Sequence, residues 1–168
     1  MTRQTRDATR DATGADIPHI HRLVRGLAEY EHMLDKFTAT EADFHAALFG
    51  PTPSLHAILA GPPDHPPVGV ALFYYTFGTF TCRRNMFLED LFVDPAHRKH
   101  GYGLALLRAL ARRAVAENCG RIDWHVLNWN EPSIAFYASL GATKMTDWHV
   151  RQLQGDALTT LAAGDTHA

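Results

Sequence analysis

Residues 86–114 read MFLEDLFVDPAHRKHGYGLALLRALARRA, and this stretch decides which fold the chain can adopt. Its first part, Met86 to Val93, is an apolar run of strand length, and the loop Asp94 to His100 follows it. After the loop, one face of a predicted helix carries Leu104, Leu107, Leu110, Ala111 and Ala114. A buried strand that leads into an amphipathic helix predicts a β-α crossover with parallel strand pairing.

Two further helices are predicted before this stretch. The first is expected directly after Asp16, a competent N-cap, because apolar residues recur there at helical spacing: Ile17, Ile20, Leu23, Val24 and Leu27. Thr40 and Asp43 predict a capping box for the second helix, with Asp in place of the usual Glu, and Gly50-Pro51 should end it.

Strands are predicted on both sides of the central stretch. Thr5 to Thr13 is assigned to the first strand, although it contains few β-branched apolar residues. Pro132 suits the first turn of a short helix that Gly141 ends. The other predicted strands are Leu55 to Leu59, Val68 to Thr76, Ile122 to Leu127 and Trp148 to Leu153.

The resulting order is β-α-α-β-β-β-α-β-α-β, which predicts an α/β (α+β) fold with a mixed central β-sheet flanked by helices. A chain of 168 residues is long enough for one core, and no internal repeat divides it. We therefore predict a single domain at residues 10–162, between a flexible N-terminal segment 1–9 and a flexible C-terminal tail 163–168.

Composition excludes several classes of function. Lys and Arg total 16 against 18 Asp and Glu, so no positive field favours nucleic acid or an anionic membrane as a partner. Cys82 and Cys119 are too few for a disulfide framework. The N-terminus lacks the apolar stretch of a signal peptide, and no apolar run could span a bilayer, so we expect a cytoplasmic protein.

A metal-dependent hydrolase is an alternative that the 11 histidines suggest. His19 and His21 are two apart on a predicted helix and diverge from each other. His97 and His100 are the other close pair, but no carboxylate joins either pair at metal-ligand spacing. We therefore predict no metal site.

The turn between the central strand and its helix, Arg98-Lys99-His100-Gly101-Tyr102-Gly103, suits a phosphate ligand. Glycines let main-chain N–H groups approach a ligand, and a helix N-terminus attracts anions. The turn has neither the G-x-G-x-x-G spacing of a dinucleotide site nor the G-K-[ST] of a P-loop. The turn could still bind a diphosphate such as that of coenzyme A. Alternatively, it is only the start of a helix, with exposed charged side chains and no ligand.

The central strand places two carboxylates, Glu89 and Asp90, where apolar residues are expected on both faces. An ionised carboxylate in an apolar core needs a partner, a cationic ligand or a cavity. Glu89 is our candidate for the base that accepts a proton from an ammonium, directly or through a water. The alternative is an edge strand with one carboxylate in solvent.

The segment Asn128 to Tyr137 combines a turn with a short helix. Asn130 can cap that helix or bind an amide-bearing ligand such as the pantetheine arm of coenzyme A. Tyr137 can pack as an ordinary amphipathic residue, or it can donate a proton to a thiolate leaving group. We favour proton donation.

These segments together resemble the GNAT superfamily of N-acetyltransferases. The details LAEYE at Leu27 to Glu31, FLEDLFV at Phe87 to Val93 and WNEPSIAFY at Trp129 to Tyr137 are similar to the diamine (spermidine/spermine) and thialysine N-acetyltransferases. The resemblance covers Arg10 to Ala162. It implies the GNAT fold and an enzyme that uses acetyl-CoA as co-substrate to acetylate a small-molecule primary amine.

The resemblance also implies roles for individual residues. The amine attacks the thioester directly in a ternary complex, with Glu89 as base and Tyr137 as acid. Tyr30, Glu31, Glu89 and Asp90 bind the cationic substrate. The co-substrate is held by Leu91, Phe92, Val93, Arg98, Lys99, His100, Gly101, Tyr102, Gly103, Leu104, Asn130, Ser133 and Tyr137. The family implies a homodimer.

The loop Phe77 to Thr81 departs from the polyamine-acetylating members, because Thr79 replaces an expected acid and Thr81 a tryptophan. Loss of one carboxylate favours an amine shorter than a polyamine, such as thialysine or a related amino acid. Acetylation of a protein N-terminus or an aminoglycoside, and a non-catalytic acyl-CoA-binding module, remain as alternatives.

Overall fold

The structure is a computed structural model that describes residues 8–164. Residues 1–7 of the predicted N-terminal segment and residues 165–168 of the predicted tail lie outside the described residues. The chain divides after His125 into two compact units, and each is described by itself. Within residues 8–164, no helix is both long and apolar enough to cross a membrane.

The described part of the first unit contains five strands: β1 (Thr9–Asp11), β2 (His56–Ala60), β3 (Gly69–Gly78), β4 (Arg83–Val93) and β5 (Ile122–Trp124). They form one sheet in the order β1-β2-β3-β4-β5. Neighbours from β1 to β4 are antiparallel, and β4 and β5 are parallel, which confirms the predicted mixed sheet.

Among residues 8–164, three α-helices belong to the first unit and two to the second. Those of the first are α1 (Ile17–Tyr30), α2 (Glu41–Phe49) and α3 (Tyr102–Ala116). Those of the second are α4 (Glu131–Ser139) and α5 (Gly155–Ala163). Short 3-10 turns occur at Gly14–Asp16, Leu34–Lys36 and Pro95–His97.

Both helices start where the sequence predicts, at Ile17 and Glu41, but the side-chain cap expected of Asp16 does not form, whereas the Thr40 side chain caps α2. Before α2, the Asp43 N–H donates to the Thr40 hydroxyl oxygen at 3.2 Å, and the Thr40 N–H donates to the Asp43 carboxylate at 2.8 Å. Asp16 precedes α1, and its buried carboxylate accepts two hydrogen bonds from the Arg10 guanidinium. These bonds hold the pKa of Asp16 well below its usual range.

Helices cover both faces of the sheet. Ile20 and Leu23 of α1 pack in one cluster with Leu72 of β3. The next strand residue, Phe73, points to the other face, where the Arg113 guanidinium of α3 lies 5.3 Å from its ring centroid. The sheet is therefore the middle layer, and α1 and α3 lie on opposite sides of β3.

Three strand predictions need correction. The strand expected at Trp148 to Leu153 does not form, and this segment has no regular secondary structure. Alternating apolar residues define a face, but a strand forms only where a partner strand completes the ladder. The strand predicted over Ile122 to Leu127 ends at Trp124. Of the strand predicted over Thr5 to Thr13, residues 5–7 lie outside the described residues, and within residues 8–13 the strand is Thr9–Asp11.

Candidate functional site

A β-bulge in β4 shapes the first part of the candidate site. Asp90 pairs with Leu72, but Phe73 pairs with Leu88, so Glu89 is an extra residue in its strand. The Met86 N–H donates toward β5, to the Arg121 carbonyl at 3.0 Å.

The bulge reverses the direction in which later main-chain groups point. The Asp94 N–H donates toward β3, to the Val68 carbonyl at 2.8 Å. In a regular strand, residues 86 and 94 would face the same side, because their separation is even. The extra residue therefore turns the main chain of Leu91 and Val93 away from β3.

That side of β4 has no strand partner beyond Leu88. The last pair between β4 and β5 joins Leu88 and Trp124, so among the described strands none continues along Leu91 and Val93. The Val93 carbonyl accepts a hydrogen bond from Arg98 Nε at 3.1 Å. The remaining edge groups of this short stretch can bind an extended ligand that carries amides.

The turn Arg98 to Gly103, called the glycine turn below, leads into α3 as the sequence predicts. Lys99 and Gly101 have φ angles of 65° and 87°, in the left-handed region, and Gly101 is the N-cap of α3. The first N–H groups of a helix have no intrahelical acceptor, so those of Tyr102, Gly103 and Leu104 suit an anion. A Cβ built on Gly103 meets nothing within 4 Å, so a ligand has room to approach there.

The cationic side chains of the turn are placed differently from one another. The Arg98 guanidinium carbon lies 4.5 Å from the ring centroid of Tyr30. The ring Nδ1 of His100 lies 2.8 Å from the Arg98 carbonyl, within hydrogen-bonding distance. Lys99 is exposed. Arg98 therefore braces the turn, while Lys99 is the charge that points most freely to solvent.

An open cleft of about 170 Å³ lies between α1, the 3-10 turn after it and β4. Its apolar lining is Val24, Leu27, Ala28, Met33 and Phe37, and its charged lining is Glu31, Lys36 and Asp90. Two of the four predicted substrate-binding residues, Glu31 and Asp90, thus line one cleft. Tyr30 and Glu89 are not among its lining residues.

The two carboxyl groups in the cleft are harder to ionise than ordinary surface acids. Burial, together with the nearby charges of Glu89 and Glu31, raises the pKa of Asp90 to about 7. Burial also raises the pKa of Glu31. A cation bound in this cleft would relieve both effects, because it stabilises the ionised form of each group.

Glu89, the predicted base, is exposed at the bulge. Burial raises the pKa of the Tyr74 hydroxyl on β3, and the charge of Glu89 raises it as well. An exposed carboxylate has access to water, which fits proton transfer to or from solvent.

The second unit holds the other predicted residues on α4. Asn130 is buried and caps the helix, because its Oδ1 accepts a hydrogen bond from the Ser133 N–H at 3.4 Å. Helix capping by Asn130 is therefore confirmed. Tyr137 is half-buried in α4, and its ring centroid lies 5.6 Å from that of Phe136.

Sequence reasoning missed Lys36 and the apolar lining of the cleft. Lys36 ends the 3-10 turn Leu34–Lys36, and this turn begins three residues after Glu31. An isolated lysine in a polar connection gives no periodic signal, so only the folded turn shows that it lines the cleft. Within residues 8–164, no three His, Cys, Asp or Glu side chains are grouped so as to hold a metal ion.

Comparisons with known proteins identify a family of acetyltransferases. The family described as Acetyltransferase (GNAT) family matches residues 20–142. Thialysine N-epsilon-acetyltransferase of Bos taurus is 35% identical over 163 residues, which cover 91% of this chain and 95% of that protein. L-ornithine N5-acetyltransferase of Arabidopsis thaliana is 28% identical over 196 residues, which cover 89% and 85%. An integron cassette protein from the mobile metagenome of V. cholerae superposes with a TM-score of 0.75 at 27% identity, over 92% of this chain and 96% of that one.

Proposed function

Because this chain belongs to the GNAT family of acetyltransferases, we propose that it moves the acetyl group of acetyl-CoA to the primary amine of a diamine, a polyamine or a thialysine-like amino acid. Its relatives are named N-acetyltransferases, and the chain is an acyltransferase of this kind. The observation that carries the proposed acceptor is the cleft lined by Glu31 and Asp90. Carboxylates that are costly to ionise alone favour a cationic ligand.

The residues of the first unit fit acetyl-CoA. Its diphosphate suits the first-turn N–H groups of α3, where Gly103 leaves open space. Its pantetheine arm offers amides to the main-chain groups of Leu91 and Val93, which face away from β3. We propose that these two features bind the co-substrate, with Arg98 and Lys99 adding positive charge beside the phosphates.

The proposed reaction needs one base and one acid. Glu89 accepts a proton from the substrate ammonium, directly or through a water, so that the free amine can attack the thioester carbonyl carbon. A nitrogen–carbon bond forms and the carbon–sulfur bond breaks, while Tyr137 donates a proton to the departing sulfur. The net reaction converts an ammonium and a thioester into an amide, a thiol and one proton released to solvent.

A thiol-release assay tests this function. The purified chain is incubated with acetyl-CoA and with spermidine, putrescine, thialysine, lysine, an aminoglycoside or a peptide, and mass spectrometry identifies the acetylated product. We expect turnover with small primary amines and little with the aminoglycoside or the peptide. Absence of thiol release from every amine, together with no calorimetric binding of acetyl-CoA by folded protein, would refute the proposal.

We also propose a homodimer, as the family resemblance implies. Trp148 and Val150 in the second unit are 73% and 74% exposed, and exposed apolar side chains of this size favour contact with another protein surface. Light scattering coupled to gel filtration decides between one copy and two. A monomer at micromolar concentration would contradict this part of the proposal.

A further inference from the structure

The cleft that contains Asp90 also contains a positive charge. Lys36 lines it together with Glu31 and Asp90, and the rest of its lining is apolar. The cleft therefore presents two carboxyl groups that a cation would help to ionise, one lysine ammonium and a surface suited to methylene groups. A ligand that carries only ammonium groups and methylene groups can pair with the two carboxyl groups, but it offers no negative charge to Lys36.

The backbone that carries Lys36 is held by hydrogen bonds. The Met33 N–H donates to the Ala28 carbonyl at 2.8 Å, which folds the chain back at the end of α1. The Lys36 N–H donates to the Met33 carbonyl at 2.9 Å, and the Phe37 N–H donates to the Leu34 carbonyl at 3.1 Å. The fold thus fixes where the lysine side chain starts, at the rim of the cleft.

Neighbouring charges on α1 are already paired, whereas those of the cleft are not. Arg22 pairs with Asp94 at 2.9 Å, and Arg25 lies 3.8 Å from Glu29. Among the ion pairs of residues 8–164, none includes Glu31, Lys36 or Asp90. These three groups remain available for charges on a ligand.

We infer that Lys36 makes this enzyme selective for an acceptor that carries a carboxylate, namely an α-amino acid with a terminal amine, over a diamine of the same length. Such a molecule has two ammonium groups and one carboxylate, which match the two acids and one lysine of the cleft in sign and number. The inference rests on the proposed function and narrows it to one substrate class.

A diamine fits the same cleft less well. It offers two ammonium groups but no anion, so Lys36 would face like charge without a counter-charge. The volume of the cleft, about 170 Å³, lies below the range of about 300–1,000 Å³ that holds drug-sized ligands. The size favours a short acceptor.

The test uses pairs of acceptors that differ only in the carboxylate: lysine with cadaverine, and ornithine with putrescine. Values of KM and kcat are measured for the wild type, for Lys36→Met and, as a control, for the exposed Lys144→Met. A charge-assisted hydrogen bond to the carboxylate predicts that Lys36→Met raises KM for both amino acids by about 10- to 100-fold. The KM for the diamines should stay the same or fall, kcat should change little, and Lys36→Glu should favour diamines further.

Two results would overturn the inference. One is a wild type that prefers cadaverine to lysine, and the other is an equal change in KM for both members of a pair. Calorimetric titration of lysine and cadaverine into wild type and Lys36→Met gives the same comparison without turnover. It therefore separates failure of the inference, which is loss of the lysine preference, from failure of the proposed function, which is absence of thiol release from every amine.

Discussion

The guanidinium carbon of Arg98 lies 4.5 Å from the ring centroid of Tyr30, the last residue of α1. The same side chain donates its Nε–H to the Val93 carbonyl at the end of β4. One arginine therefore joins α1, β4 and the glycine turn that it begins. The sequence resemblance assigns Arg98 to the co-substrate and Tyr30 to the acceptor, but the structure shows that they contact each other.

Arg98→Lys should weaken both the fold and co-substrate binding. Lysine keeps the charge but loses the Nε–H donor and the planar group that stacks on Tyr30. We expect a loss of about 1–2 kcal/mol in the free energy of unfolding and a several-fold higher KM for acetyl-CoA. Urea unfolding and steady-state kinetics measure these effects, and the exposed Arg25→Lys is the matched control. Equal behaviour of the two variants would contradict the bracing role.

Asp90 should make substrate use depend on pH. Because its pKa is about 7, the carboxyl group is mostly neutral below pH 7 and mostly ionised above it. We expect kcat/KM for the amine to fall as pH falls from 8 to 6, because the neutral form cannot pair with the ammonium. Asp90→Asn should lose this acid limb and lower kcat/KM at pH 8 by about 10- to 100-fold. An acid limb that persists unchanged in Asp90→Asn would assign it to another group.

The carboxyl group of Asp90 should also lower the free energy of unfolding at neutral pH. Its pKa is raised in the folded state, so the folded chain binds more protons than the unfolded chain between about pH 4 and pH 7. Its contribution therefore becomes less favourable as pH rises through this window. Asp90→Asn removes the ionised form, and we expect the variant to be more stable than wild type at pH 8, by at most about 4 kcal/mol.

Urea unfolding of Asp90→Asn and wild type at pH 5 and pH 8 measures that difference. The stabilisation should be small at pH 5 and larger at pH 8. Exposed Asp64→Asn, in the connection between β2 and β3, serves as the control for loss of a carboxylate. A destabilised Asp90→Asn at pH 8 would show that the ionised group is held by partners in the fold.

Much of the fold could be predicted because its signals are local. The capping box of Thr40 and Asp43 lies within four residues of sequence, and both of its hydrogen bonds are present. The cap that Asn130 supplies to α4 is local in the same way. Apolar periodicity likewise located α1 and α3, since a buried helical face leaves its pattern in the sequence.

The rest depends on contacts between distant residues. The bulge at Glu89 exists only relative to β3, because it is a difference in register between Leu72 and Phe73. Without it, Leu91 and Val93 would be expected to face the other way. The strand predicted at Trp148 to Leu153 does not form, because strand-forming residues in one segment do not supply the partner strand that a ladder needs. Lys36 carries no pattern of its own.

Gly103→Ala should separate co-substrate binding from folding. A Cβ at this position meets nothing within 4 Å, and replacing glycine by alanine in a helix adds about 0.5–1 kcal/mol of stability. The added methyl group, however, occupies space over the first turn of α3 that the diphosphate is proposed to use. We expect a higher melting temperature and a clearly higher KM for acetyl-CoA, with little change in KM for the amine.

Gly101→Ala provides the contrast. Gly101 has a φ of 87°, and a left-handed backbone costs a residue with a side chain roughly 1–2 kcal/mol. This variant should lose stability as well as co-substrate affinity. If Gly103→Ala bound acetyl-CoA as tightly as wild type, the diphosphate would have to bind elsewhere.

Tyr137→Phe should slow the chemical step. The substitution removes only the hydroxyl group that is proposed to protonate the leaving sulfur, and such proton transfers contribute about 10²–10⁴-fold to rate. We expect kcat to fall within that range while the Kd for acetyl-CoA, measured by calorimetry, stays nearly the same. Phe136→Leu changes the packing next to the Tyr137 ring but keeps its hydroxyl, so it should retain most of the turnover. If Tyr137→Phe kept the wild-type kcat, Tyr137 would have no role as the acid and its half-buried ring would be a packing residue of α4.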